Sequence, residues 1–311
     1  MATTWLILNG KSSADEALRA AVSEQRDAGH DVQVRVTWEG GDAGRLVDEA
    51  VAAGVDRVVA AGGDGTLNEV ISALASQDGD ADQLPSLGLV PMGTANDFAN
   101  GAKLPLASGE ALAFALSSEP VAMDVIRVAA GDESRWCGNV ATGGFGTQVT
   151  TQTDPELKKR LGGLAYVLTG ISQAGQATPQ HARFVGPDVD VAGEFIAIGV
   201  GNGKQAGGGQ VLCPDAVVDD GLLNLTIVPV ASDGAEFFDA LKRAFSAGSH
   251  ERLAAVSHLF TAPWIEISSD EPFTLNLDGE PMHASAFRLE VVPGRVRMHL
   301  PPDSPFLTHP S

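Results

Sequence analysis

The short apolar run Val58-Val59-Ala60-Ala61 stops at Gly62-Gly63, and Leu67, Val70, Ile71 and Leu74 then recur at helical spacing. A strand that turns sharply into a helix satisfies both halves of this pattern, because the glycines permit the turn. The first N–H groups of such a helix lack partners within it and, together with the helix dipole, attract anions. Glycines without side chains let that backbone approach an oxyanion closely, and Thr66 adds a hydroxyl donor. A bare Gly-Gly pair would also suit a βα turn with no ligand, but the segment continues as GGDGTLNEV. No GxxxxGK[ST] occurs, so it is not a Walker loop.

The same alternation fills the first 125 residues. Strands are expected at Trp5 to Leu8, Val32 to Val36, Arg57 to Ala61 and Leu87 to Val90, and helices at 14–28, 43–53, 67–76 and 107–118. Alternating βαβ units imply a parallel sheet with helices on both faces. From about 127 the pattern becomes strand-like runs broken by glycines and turns, at 135–141, 182–185, 194–201, 222–230, 264–268, 273–278 and 287–300. Helices are expected at 154–173, opened by Asp154-Pro155-Glu156, and at 235–247. The predicted fold is therefore α/β: an N-terminal parallel-sheet domain at 1–126, of a nucleotide-binding architecture that by itself does not establish nucleotide binding, and a β-rich, sandwich-like domain at 127–311. The C-terminal tail could pack back on the first domain. With 311 residues, the chain exceeds the roughly 250 to 300 at which one core stops growing.

Twenty Lys plus Arg against 40 Asp plus Glu give a formal charge of −20, which argues against nucleic-acid binding and stable docking on anionic membranes. Any membrane contact is expected to be local and transient. Lys158, Lys159 and Arg160 form one basic patch for it, or simply a solvated helical face. No run approaches the roughly 20 apolar residues of a membrane span, and the N-terminus lacks signal-peptide features, so a cytoplasmic location is expected. Cys137 and Cys213 have no metal-type spacing and read as free structural thiols.

A second strand-to-helix junction, Pro91-Met92-Gly93-Thr94-Ala95-Asn96-Asp97-Phe98, places a turn glycine beside a Thr that caps the next helix or meets a ligand. In a parallel sheet both junctions open at the carboxyl edge, where ligands of such folds bind. GGDGTLNEV and PMGTANDFA resemble the signature loops of the diacylglycerol-kinase-like lipid kinases. LILNGKS at 6–12, VRVTWEGGDA at 34–43, NVATGGFGT at 139–147, GNGKQAGGGQVLCPDA at 201–216, DDGLLNL at 219–225 and NLDGEP at 276–281 resemble the bacterial YegS-type members. Asn9 is followed by Gly10, Lys11 and Ser12, where many family members have Asn-Pro and then Ser-Gly, a departure shared by YegS-type proteins.

The resemblance implies an ATP-dependent lipid kinase that transfers the γ-phosphate to a glycerolipid hydroxyl, of diacylglycerol or a phosphatidylglycerol-like lipid. It implies ATP contacts at Thr37, Gly63, Asp64, Gly65, Thr66, Leu67, Asn68, Glu69 and Thr94. Asp64, Asp97 and Asp124 would form a partly water-mediated Mg²⁺ network. Glu280 would be the proton acceptor, with Asp278 in support, although Asp278-Gly279-Glu280 alone reads as an ordinary hairpin turn. A second metal site, for Mg²⁺ or Ca²⁺, is implied at Val217, Asp220 and Leu222, where Asp219-Asp220-Gly221 is equally a plain turn. Gly207 to Gly209 could line a cleft or form a surface loop. Two other readings stay open: a kinase of a soluble substrate akin to NAD kinases or phosphofructokinases, and a nucleotide-sensing module without catalysis. Oligomeric state is not legible.

Overall fold

The computed structural model describes residues 2–144, 180–230 and 234–308. The basic run at 158–160 and the helix expected at 154–173 lie outside the described residues. The chain divides into two compact units, one of Met1–Val125 with Pro293–Ser311, the other of Ile126–Val292.

In the first unit β1 (Thr3–Leu8), β2 (Asp31–Val36), β3 (Arg57–Gly62) and β4 (Ser86–Pro91) are parallel, in the order β2-β1-β3-β4. β1 and β3 are buried nearly end to end, as expected of strands covered on both faces. Helices α1 (Glu16–Asp27) and α5 (Ser108–Ser117) pack together, as do α2 (Asp42–Ala52) and α3 (Asp64–Ser76). Leu18, Ala21 and Val22 of α1 join Leu112 and Ala115 of α5 over Leu6, Val59 and Val90. A short helix α4 (Asp97–Gly101) follows β4. The chain runs outward from β1 to β2 and then resumes on the other side of β1, so strand order reverses between β1 and β3. Open α/β sheets hold their ligands at the carboxyl edge of such a reversal.

The second unit is antiparallel. The chain enters it along β5 (Val121–Ala130) and leaves along the last strand, β15 (Glu280–Met298). Between them lie β6 (Glu133–Cys137), β7 (Val140–Gly144), β8 (Gln180–Gly186), β9 (Val189–Gly201), β10 (Gln205–Ala206), β11 (Gln210–Val211), β12 (Leu223–Pro229), α6 (Gly234–Ala247), α7 (His250–Ala254), β13 (His258–Ala262) and β14 (Trp264–Leu277). β9 and β14 each pair with β8 at one end and β7 at the other, and this ring wraps a core that includes Phe184, Phe195, Phe273 and Phe287. Consecutive rings in that set meet edge to face, with centroids 5.0–6.1 Å apart.

Several element boundaries differ from expectation. The run expected at 135–141 is two strands, broken at Gly138-Asn139, and those expected at 264–268 and 273–278 fuse into β14. Strands β5 and β13 were not expected. Helix α3 begins at Asp64, three residues before the apolar stripe suggested.

Candidate active site

The early start of α3 shapes the first junction. Gly63 caps it in an extended conformation without a side-chain cap, so Asp64, Gly65 and Thr66 form the first turn itself. A Cβ on Gly62 would lie 2.4 Å from Thr66 Oγ1, and one on Gly93 would lie 2.6 Å from Gly63 Cα. The two junctions therefore meet backbone to backbone, and Met92 N–H donates to Gly62 O at 2.7 Å. On the β1 side, Asn9 Nδ2 donates to Thr66 Oγ1 at 3.0 Å. Three strand ends thus converge at the strand-order reversal, around an α3 N-terminus whose Gly65 would meet nothing within 4 Å if given a Cβ.

The remaining expected nucleotide contacts have distinct positions. Thr37 Oγ1 accepts the Gly10 N–H at 3.2 Å. Leu67 is buried in the core, so only its backbone can face a ligand. Asn68 is buried with its Oδ1 unpartnered, and Glu69 accepts the Gly41 N–H at the start of α2. Thr94 is exposed and does not cap α4, contrary to one of its two expected roles. Asn96 precedes that helix in the left-handed region, and Asp64 Oδ1 accepts the Phe98 N–H at 3.2 Å from the neighbouring junction. Asp64 therefore ties the two loops together, which spacing could not reveal.

In the second unit Asp278 and Gly279 both have positive φ, +50° and +106°, so β14 and β15 join through a two-residue turn of the I′ kind. Gly279 N–H donates to Asn276 Oδ1 at 2.6 Å. Asp278 turns inward: Oδ2 accepts from Gly138 N at 2.8 Å and Asn139 N at 3.0 Å, and Oδ1 from Val140 N at 2.8 Å. Burial pushes its carboxyl up despite these donors. Asp278 thus anchors the turn at the break between β6 and β7. Glu280 projects outward, its side chain 62% exposed, with Arg135 Nη1 3.9 Å away.

Comparison with known proteins gives these two arrangements a common context. Residues 3–128 match the model of the diacylglycerol kinase catalytic domain, and residues 138–300 that of the YegS C-terminal NAD kinase beta sandwich-like domain. A protein of Xanthomonas oryzae pv. oryzae named "Probable lipid kinase YegS-like" is 56% identical over 302 residues, covering 97% of each chain. The chain belongs to the YegS-like lipid kinase family. A Pseudomonas aeruginosa relative of this YegS-like family is 45% identical, over 98% of this chain and 96% of its own. Two Bacillus anthracis structures of the diacylglycerol-kinase type share the fold, with TM-scores of 0.82 and 0.70 at 24% and 23% identity. They cover 96% of this chain and 95% and 96% of theirs.

In this YegS-like kinase the acidic residues expected near the phosphates each have their own surroundings. Among the described residues no three His, Cys, Asp or Glu side chains are grouped to hold an ion. Asp64, Asp97 and Asp124 thus form no ready-made ligand cluster: Asp64 caps α4, Asp97 is buried, and Asp124 accepts the Gly294 N–H at 2.8 Å. Asp220 Oδ1 accepts the Leu222 N–H at 2.9 Å beside Gly221 at φ +73°, a turn that brings Asp220 and the Leu222 backbone together after Val217. Gly207 to Gly209, all at positive φ, turn the β10–β11 hairpin. Both cysteines are free and buried, and burial pushes the Cys213 thiol up to about 12, which makes it a poor nucleophile.

Proposed function

We propose that this lipid kinase takes its phosphoryl group from ATP and transfers it to a hydroxyl of a glycerolipid, diacylglycerol or a phosphatidylglycerol-like lipid. The close contact of Gly63 with Gly93 carries this reading, because it joins two glycine-bearing strand ends at the sheet position where nucleotides bind. In a chain of charge −20, phosphates are best gripped by backbone N–H groups and a helix N-terminus. Gly63 to Glu69 and Thr94 supply that grip, and Thr37 stands at the end of β2, on the far side of β1. Mg²⁺ bound with the nucleotide would neutralise phosphate charge, held chiefly by phosphate oxygens and water and by Asp64, Asp97 and Asp124. Val217, Asp220 and Leu222 suit a separate structural Mg²⁺ or Ca²⁺ of mixed oxygen donors.

Glu280 receives the proton of the acceptor hydroxyl, held outward on a turn that Asp278 anchors from beneath. Positioned proton transfer is worth roughly 10² to 10⁴ in rate. Contact with the lipid is peripheral and transient, from the cytoplasmic side, as the acidic surface charge of this chain favours; among the described residues no helix is long and apolar enough to cross a membrane. With labelled ATP and Mg²⁺, phosphate is expected to appear in a glycerolipid of a lipid panel and not in soluble acceptors. Glu280→Gln is expected to lower kcat by 10² or more. Transfer to a soluble acceptor alone would favour an NAD-kinase-like activity, and full activity of Glu280→Gln would remove the base assignment.

A further inference from the structure

Trp38 is 94% exposed, yet its backbone is held on every side. Its N–H donates to Asp42 Oδ2 at 2.7 Å, and the Glu39 N–H donates to the same oxygen at 3.1 Å. Thr37 N–H donates to Leu8 O at 2.9 Å, and Gly41 N–H donates to Glu69 on α3, the helix whose N-terminus faces the junction site. An indole left in water forgoes burial of roughly 150 to 250 Å². A loop pinned this firmly holds the ring outward for a partner.

Sheet register fixes where that partner lies. Val36, Leu8, Ala61 and Val90 form one row across β2, β1, β3 and β4. Trp38 and Gly63 both lie two residues beyond the row, at the same carboxyl edge, with β1 and its Asn9 loop between them. Two strand spacings separate them, about 10 Å, a span suited to a nucleotide with its phosphates at Gly63 and its base toward β2. We propose that Trp38 is the platform on which the adenine ring of ATP stacks, which makes it a positioning residue for the phosphoryl donor.

The inference rests on ATP as the donor. Membrane insertion is the other common use of an exposed indole, and the surroundings oppose it. Glu39 follows Trp38 in the chain, and Asp42 accepts the backbone N–H of both. Asp42 stays ionised, its carboxyl brought down to about 2 by the Trp38 N–H, the Arg45 guanidinium and the Glu39 N–H. Carboxylates beside the indole disfavour entry into an anionic leaflet. A neutral base asks for no cation there.

The test compares ATP, ADP and inorganic tripolyphosphate, which has the phosphates and no base. Trp38→Ala is expected to raise Kd for ADP and KM for ATP about 10-fold, with kcat within about twofold and KM for lipid unchanged. Trp38→Phe is expected to recover most of the loss, and tripolyphosphate to bind wild type and Trp38→Ala alike. Unchanged ATP affinity in Trp38→Ala, with wild type still using ATP, overturns the stacking and leaves the donor assignment standing. A wild-type protein that binds no ATP overturns both. If Trp38→Ala loses co-sedimentation with phosphatidylglycerol vesicles at undiminished ATP affinity, the ring belongs to the bilayer and the stacking is overturned.

Discussion

Asp278 and Glu280 are two carboxylates two residues apart, and the turn between them sends one inward and the other out. The inner one accepts three backbone N–H groups and, from the Cys137 thiol, a fourth donor. Asp278→Ala strands those buried donors and is expected to cost about 3 kcal/mol of stability, read as a lower urea midpoint at unchanged slope. Glu280→Gln should leave that midpoint where it is, which separates the anchoring residue from the one proposed for chemistry. Nothing in the string DGE distinguishes these roles. The backbone partners of Asp278 lie 138 to 140 residues away in sequence, and the Phe98 partner of Asp64 lies 34 away. What the sequence does show at this scale is residue type, a carboxylate or a glycine where the chemistry asks for one.

At the scale of elements, legibility follows burial. The parallel strands were readable because a strand covered on both faces is a continuous apolar run, as Val58 to Ala61 is. β5 was missed because it begins in one unit and ends in the other, so no single face repeats along it. The start of α3 was missed because glycines occupy its cap and first turn, where an apolar stripe cannot yet appear. Those same glycines lend themselves to a paired prediction. Gly93→Ala would press a methyl 2.6 Å from Gly63 Cα and 2.8 Å from Asn96 Oδ1, so it should cost about 1 to 3 kcal/mol and weaken ADP binding with it. Gly65→Ala meets nothing within 4 Å, so it should gain about 0.5 to 1 kcal/mol from helix propensity while still weakening ADP. Urea unfolding and equilibrium ADP binding, measured on both variants, separate loop packing from ligand approach.

Across the whole molecule, the C-terminal segment completes the unit that the N-terminal segment began. Arg295 donates to Ala75 O at 2.9 Å and Gly79 O at 2.7 Å, around the end of α3, and Arg297 donates to Ala81 O and Leu84 O at 3.0 and 2.8 Å. Phe306 meets Phe98 of α4 edge to face, with centroids 5.2 Å apart. His299 is fully buried: its Nε2 accepts from Arg57 Nε at 3.1 Å and its Nδ1 lies 3.1 Å from Ser118 Oγ. Burial and the adjacent Arg57 guanidinium bring its pKa down from 6.5 to about 4. Between those values the unfolded chain binds a proton that the folded chain refuses, so stability is full above about pH 6.5 and falls as pH drops through about 4. The loss should reach about 2 to 3 kcal/mol, and His299→Gln should lack this part of the pH dependence when urea midpoints are compared from pH 7 to pH 4.

The same segment sets an order of events during synthesis. Residues Met1–Val125 leave the ribosome first, yet the arginine clamps, His299 and the Phe306 wedge that brace their loops are translated only after the whole of the second unit. The first unit is thus among the first parts made and the last to be finished. A message cut short within the second unit yields a polypeptide without those braces, and the proposed base at position 280 is translated before they are. A ribosome therefore supplies the residue proposed as the base before it supplies the side chains that brace the end of α3 and the starts of β3 and β4.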